Sequence, residues 1–417
     1  VTAPAGRPRL LVLRALGLGD LLTGVPALRA LRRAHPGHEL VLAAPGGLAP
    51  AVAATGAVDT LLPASAPGRA VPRVLPWPGP PPDLAVDLHG NGPPSHRLLS
   101  ALRPGRLFAF AHPGTPEITG PPWRADEHER ERWCRLLRAY GLPADATDLA
   151  LAPPAVPSPA PGAVVVHPGA ASAARRWPAD RYAAVVRRLL AAGLPVAVTG
   201  GPGEDALVAR TVVPGARAFP GGLPFATLSA LVAGARAVVS GDTGIAHLAV
   251  AHGTPSVTLY GPVAPALWGP PPGSPRHRPL WHPGPPGDPH GRSPDPLLLR
   301  ITEDEVVDAV GGVVALGAGC GPSGPSVPSG LSVPSGLSAP SGLSGASGPS
   351  RSPGSPRPAP EAVGPADAAA RGRPPLDAGA PEGHPGGGAG PSPGPGPSDP
   401  RDRSAPTGRA PRKGAPP

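Results

Sequence analysis

Lysine is all but missing from this chain of 417 residues: the only one is Lys413, close to the carboxyl end. A Schiff-base or catalytic lysine therefore has no place in the first 412 residues. Cysteine is nearly as scarce, with only Cys134 and Cys320, too few for a disulfide framework or a Cys-based zinc site. A reducing, cytoplasmic setting is the expectation. No window approaches the roughly 18 apolar residues of a membrane span, and the apolar run near the amino terminus is short and interrupted by Arg14. Methionine is absent, so Val1 is expected to be a start codon read literally. Aromatics make up 3% of the chain and end at Trp281. Whatever follows has none of the large side chains that usually dominate a core.

Proline (72) and glycine (59) are abundant, nearly a third of all residues, where about an eighth is usual. They concentrate at the end. Residues 320–417 hold 24 prolines, no isoleucine and a six-residue repeat, VPSGLS, VPSGLS, APSGLS, from Val327 to Ser344. Such a segment buries too little apolar surface to offset its chain entropy, and a disordered tail is expected. The remaining stretch is comfortable for two domains. Of the net charge of +9, only +3 lies in the tail, so the folded part is modestly basic.

Along that part, apolar runs alternate with helical periodicity. RLLVLRA (9–15) is closed by Gly17-Leu18-Gly19-Asp20, after which Leu21, Val25, Leu28 and Leu31 recur near helical spacing. Pro26 within this helix removes a backbone donor and is expected to kink or shorten it. Strands are expected at 39–44, 58–62, 83–88 and 106–111, with helices at 95–102 and 125–140. Alternation of this kind argues a parallel sheet with helices on both faces. After a Pro/Ala-rich linker at 143–161 the pattern restarts, with strands at 163–167, 195–199, 237–240 and 256–260. Helices fall at 179–192, 204–213, 228–233 and 243–251. A final helix opens with Thr302-Glu-Asp-Glu305, a capping-box spacing. In doubly wound domains the crevice at the carboxyl ends of the strands is the usual ligand site.

Several residues could carry chemistry. Gly17-x-Gly19-Asp20 lies where a dinucleotide fingerprint would, but the third glycine position is Leu22, and Glu39 opens the second strand instead of ending it. A nicotinamide-dependent oxidoreductase is thus disfavoured. Asp20 by itself reads first as a helix N-cap. In Val238-Val-Ser-Gly-Asp242-Thr243-Gly244 a buried strand runs straight into a helix whose N–H groups and dipole suit phosphate oxygens, with capping by Asp242 the competing reading. Asp-Thr-Gly also marks aspartic proteases, which need a second copy in a β-rich setting; this chain has neither. His247 lies one turn into the same helix, where a lone histidine is most often structural. The loop 167–178 delivers Arg175 and Arg176 just before a helix, where a guanidinium can grip a diphosphate or simply face solvent. Glu204, after Thr199-Gly-Gly-Pro-Gly203, could bond ribose hydroxyls or favour the helix dipole. No Asp-x-Asp occurs. A site without metal is expected, in which positive groups and helix termini stabilise a leaving diphosphate.

Taken together, RALGLGDLLTGVPALRALRRAHPG, HPGAASAARRWP, VAVTGGPGED and AGARAVVSGDTGIAHLAVAHGTPSVTLYGP resemble glycosyltransferase family 9, the group that includes the lipopolysaccharide heptosyltransferases. The resemblance covers about residues 8–316. It implies an α/β, GT-B-like pair of Rossmann-like domains with a disordered C-terminal tail: an acceptor domain at 8–142, a linker at 143–161, a nucleotide-sugar domain at 162–316 and the tail at 317–417. It implies Asp20 as the general base of an inverting, single-displacement sugar transfer. For the donor it implies Asp242, Thr243, Gly244 and His247 as the Asp-[Ser/Thr]-Gly-x-x-His motif, with Glu204 toward the nucleotide ribose. Arg175 stands where the heptosyltransferases commonly carry a phosphate-binding lysine, and Ala170 and Ala171 stand where they carry hydroxyl residues, with Ser172 nearby. No cofactor is expected beyond the donor substrate, ADP-heptose or a relative. The implied partners are that donor and a saccharide or glycolipid acceptor, with peripheral contact at the inner membrane face and no nucleic acid. A non-catalytic scaffold built on a degenerate transferase fold is the alternative of another class.

Overall fold

The computed structural model describes residues 7–318. Two all-parallel sheets organise them. The first consists of β1 (Arg9–Leu13), β2 (Glu39–Ala44), β3 (Thr60–Pro63), β4 (Leu84–Asp87) and β5 (Arg106–Phe108), in the order β3-β2-β1-β4-β5. Its helices are α1 (Leu18–Ala34), α2 (Ala49–Ala54), α3 (Pro93–Ser100) and α4 (Glu129–Ala139). In central β1 every residue after Arg9 is buried. Leu10 and Val12 pack with Leu42, Val86 and the helices α1 and α4, while Leu11 and Leu13 pack with Val41, Ala85 and Leu99 on the other face. Burial on both faces explains why the strand reads as an unbroken apolar run.

The second sheet runs β11-β10-β9-β6-β7-β8. It is built from β6 (Val164–His167), β7 (Val196–Thr199), β8 (Arg217–Phe219), β9 (Ala237–Gly241), β10 (Ser256–Leu259) and β11 (His277–Leu280). Its helices are α5 (Ala179–Ala191), α6 (Asp205–Thr211), α7 (Phe225–Ala233), α8 (Gly244–Ala251), α9 (Pro265–Trp268), α10 (Pro296–Leu299) and α11 (Glu303–Ala318). The Thr302 capping box closes as its spacing predicts. The backbone N–H of Thr302 donates to Glu305 Oε2 at 2.7 Å, and that of Glu305 donates to Thr302 Oγ1 at 3.2 Å.

Helix α1 is not shortened at Pro26 and continues as one element from Leu18 to Ala34. Proline leaves one carbonyl without its helical partner, but this helix is gripped from two sides. Leu21, Ala27, Leu28 and Leu31 lie in the core of the first sheet, and Leu22 and Val25 lie in a core built from Val165, Val238, Ile245 and Leu248 of the second. The third-glycine position of the dinucleotide fingerprint, Leu22, is therefore a packing residue. The Pro/Ala-rich stretch at 143–161 docks along the same helix: Arg29 and Arg33 donate to the Asp148 carboxylate at 2.7 and 2.6 Å, and Leu151 N–H donates to the Ala251 carbonyl at 2.9 Å. Other boundaries shift at the ends of elements. β5 stops at Phe108, and α4 starts at Glu129 because the His128 side chain accepts from Arg130 N–H at its entrance. The tail expected at 317–417 lies outside the described residues, apart from the last two positions of α11. Among the described residues no helix is long and apolar enough to cross a membrane.

Candidate active site between the two sheets

The first half of the site grows from a buried charge. Arg14, read in the sequence as an interruption of an apolar run, is 1% exposed just beyond β1. Its Nε donates to the Asp20 carbonyl and its Nη1 to the Leu88 carbonyl, while Nη2 donates to Thr23 Oγ1 and Glu129 Oε1, both at 3.0 Å. Glu129 is also held by Arg132 and by Trp133 Nε1 at 2.9 Å. A buried guanidinium is tolerable only when its donors are satisfied. Here they tie β1, the end of β4, the first turn of α1 and the start of α4 together beneath the Gly17 turn.

On that base stands Asp20. It is the third residue of α1, not its N-cap, which is Gly17. Its Oδ2 accepts from Gly17 N–H at 3.1 Å and its Oδ1 from Arg69 Nη2 at 2.7 Å. Arg69 comes from the turn Pro67–Arg69 after β3 and has left-handed backbone, φ 63°. Nothing in its local pattern marked it; the available signal was that a loop after a strand ends at the sheet's carboxyl edge. His89, in the loop after β4, accepts from Ala15 N–H at 3.2 Å, and burial with Arg14 nearby lowers its pKa to about 4.

The second half lies at the ends of β6 and β9, where the strand order reverses. Thr243, with extended backbone, is the N-cap of α8, and its side chain makes no capping bond. Asp242 caps nothing in the helix and faces Arg175 instead. Arg175 Nη1 donates to the Asp242 carbonyl at 3.0 Å and lies 3.8 Å from Oδ2. Burial raises the Asp242 pKa to about 6, with Arg175 pulling it down and Asp20 pushing it up. His247 Nε2 is 4.0 Å from Asp242 Oδ1, and its ring meets Trp268 edge-on at 6.0 Å. Burial, then Arg130, lowers the His247 pKa to about 4, so the imidazole is neutral at pH 7.

The halves meet at two glycines. A Cβ on Gly19 would lie 2.9 Å from His247 Cδ2, and one on Gly244 would lie 3.2 Å from Leu18 Cβ. The amino ends of α1 and α8 thus approach each other more closely than larger residues allow. Between the halves is a cleft of about 420 Å³ lined by Asp20, Arg69, Arg175, Asp242, Thr243, Gly244 and His247, among others. Six of the eight residues singled out in the sequence share it. Glu204 does not line it: Oε2 accepts from Gly201 N–H at 2.7 Å, and the carboxylate packs against Gly169, 3.7 Å from His167 Nε2. Arg176 also turns away, donating to the Ala170 carbonyl at 2.8 Å. Among the described residues no group of three or more His, Cys, Asp or Glu could hold a metal ion.

Two parallel sheets with their strand-end crevices on one shared cleft define a GT-B-like α/β protein. Residues 135–283 match the model of glycosyltransferase family 9 (heptosyltransferase). The chain is 31% identical over 113 residues to lipopolysaccharide heptosyltransferase 3 of Escherichia coli, covering 26% of this chain and 33% of the relative. To lipopolysaccharide heptosyltransferase 1 of Salmonella typhimurium it is 26% identical over 297 residues, covering 63% of this chain and 90% of that one. The matched stretch thus spans a third of the first relative's length and nine-tenths of the second's. Among solved structures, the family 9 glycosyl transferase of Veillonella parvula aligns with TM-score 0.59 at 18% identity, covering 75% of this chain and 99% of that one. The ADP-heptose heptosyltransferase II of Escherichia coli aligns with TM-score 0.57 at 18% identity, covering 74% and 99%.

Proposed function

We propose that this protein is a glycosyltransferase that moves a sugar from a nucleotide diphosphate donor to a hydroxyl of a saccharide or glycolipid acceptor, by inversion and without a divalent cation. One observation carries the reading: a carboxylate of the first half and a guanidinium with a helix start of the second line the same cleft. Asp20, held by two hydrogen bonds, keeps lone pairs free to take the acceptor proton as its oxygen attacks the anomeric carbon. Arg175 and the first N–H groups of α8 are the positive groups on which the departing diphosphate gathers its charge. Neutral His247 can donate or accept one hydrogen bond to the donor, and Asp242 is suited to accept from sugar hydroxyls. Glu204 contributes to the donor side by fixing the Gly201 turn beside the nucleotide.

The donor we favour is ADP-heptose, since an Escherichia coli relative has been solved with ADP and with an ADP-2-deoxy-2-fluoro heptose. The favoured acceptor is a lipopolysaccharide saccharide, as in the relatives' names, met at the cytoplasmic membrane face. Calorimetric titration of the full chain with ADP, GDP, UDP and dTDP, each with magnesium and with EDTA, tests the donor class. Selective, magnesium-independent binding of ADP supports the proposal; a folded protein that binds none of the four overturns it in favour of a scaffold. Asp20→Asn is expected to keep ADP binding and lose turnover by about 100-fold or more, and unchanged turnover would remove Asp20 as the base.

A further inference from the structure

Both oxygens of the Asp20 carboxylate are engaged, each from a different direction. Gly17 N–H fixes Oδ2 from within the turn, and Arg69 fixes Oδ1 from a loop 49 residues away. No other cation reaches the carboxylate among the described residues. Arg14, the nearest buried guanidinium, is spent on the Asp20 backbone carbonyl, Leu88, Thr23 and Glu129. His89 and His247, the histidines whose burial Asp20 opposes, are both neutral at pH 7. Asp242, across the cleft, is close enough for the two carboxylates to repel, and its own counterion is Arg175. The cleft therefore holds two carboxylates and two guanidiniums in pairs, one pair on each side.

The Arg69 backbone supports the same conclusion. A left-handed arginine following a left-handed glycine, φ 63° at both positions, is an arrangement most residues avoid, and here it turns the side chain back into the cleft. The side chain stays 40% exposed while its partner is 5% exposed. Arg69 is therefore held at the carboxylate by the ion pair and its turn, and not by encasement in a core.

We propose that Arg69 is a positioning residue for the transfer, aiming the Asp20 carboxylate at the acceptor hydroxyl and balancing its repulsion by Asp242. The inference rests on Asp20 being the base. Without Arg69 the carboxylate keeps one fixed oxygen and can swing about it, and a misplacement on the order of 1 Å costs up to about 100-fold in rate.

Two experiments on the full chain test it. In turnover of ADP-heptose with a heptose-deficient lipopolysaccharide acceptor, Arg69→Ala is expected to lower kcat about 10- to 100-fold at unchanged ADP affinity and acceptor KM, and Arg69→Lys to restore part of the loss. Added to Asp20→Asn, Arg69→Ala should cost nothing further. Weaker ADP binding, a raised acceptor KM with kcat intact, or multiplied losses in the double variant would make Arg69 a substrate ligand and overturn the proposal. If Asp20→Asn alone leaves turnover unchanged, the base assignment fails, a result distinct from any of these. The second readout needs no turnover. Trypsin requires a free arginine side chain, so Asp20→Asn should speed initial cleavage after Arg69 several-fold while cleavage after exposed Arg73 keeps its rate. Equal Arg69 cleavage in both proteins refutes the pairing.

Discussion

Replacing Gly19 with alanine sets two effects of known size against each other. Gly19 lies in the first turn of α1, and alanine is the better helix former by about 1 kcal/mol. The new Cβ, however, would lie 2.9 Å from His247 Cδ2, 3.4 Å from its Nε2 and 3.5 Å from Gly244 Cα. The first distance is shorter than carbon atoms tolerate, and His247 cannot retreat freely, because its side chain, 10% exposed, lies against Trp268 beside Asp242. Overpacking at such a site costs about 1–3 kcal/mol. Overlap therefore offsets or outweighs propensity, and Gly19→Ala is expected to destabilise by up to about 2 kcal/mol, the difference between the two effects. The damage should appear also in binding, since moving His247 alters a wall of the cleft, and ADP affinity should fall about fivefold or more, roughly 1 kcal/mol. Urea unfolding and calorimetry on the same preparation read both. A variant more stable than the parent, with ADP affinity intact, would refute the claim that the two helix starts are in contact.

Three further outcomes follow from other parts of the structure. Arg175→Ala should weaken ADP binding about 10- to 100-fold, the size of a lost charge-assisted bond, and leave more of Asp242 protonated at pH 7; an effect on acceptor saturation alone would contradict this. Gly169→Ala would put a Cβ 1.8 Å from Glu204 Oε2, so the carboxylate must leave the Gly201 turn, at about 1–3 kcal/mol; an unchanged melting temperature would refute that packing. His89, His128, His247 and His277 are each lowered to about 4, mainly by burial. Each favours the folded state fully above about pH 6.5, its unfolded value, and loses that contribution as pH falls toward 4. Asp87 and Asp242, raised to about 6, act in the opposite sense. His35, His96, His167 and His252 are lowered too, so the histidines outweigh the two carboxylates and unfolding takes up protons near pH 5. The urea midpoint should drop between pH 6.5 and 4.5, and a midpoint that holds or rises would contradict the balance.

The sheets were legible because their strands are buried on both faces and read as compact apolar runs such as VVVH and AVVSG. The short edge strand β11, His277–Leu280, was not: Pro279 sits in it, tolerated because only β10 pairs with it. Asp20, Arg175, Asp242, Thr243, Gly244 and His247 were visible because a strand-to-helix turn leaves a local mark. Arg69 and Arg14 were not, for opposite reasons. Arg69 reaches its partner from a proline-rich loop without periodicity, and Arg14 is a charge among apolar neighbours whose partners, Leu88 and Glu129, lie 74 and 115 residues away. Pro26 does not shorten its helix because, where a propensity argument sees one helix, the structure clamps that helix between two cores.

The position of α1 between those cores bears on how such a protein can be recombined. Leu22 and Val25 belong to the first half by connectivity and to the second by packing. A chimera joined anywhere in 143–161 would carry them against a foreign Ile245 and Leu248, and its crossover would cut through a single packing unit while looking clean on a domain map. Swapping donor specificity on this fold therefore calls for transplanting the inward face of α1 along with the second half, so that the graft includes a strip of the module nominally left behind.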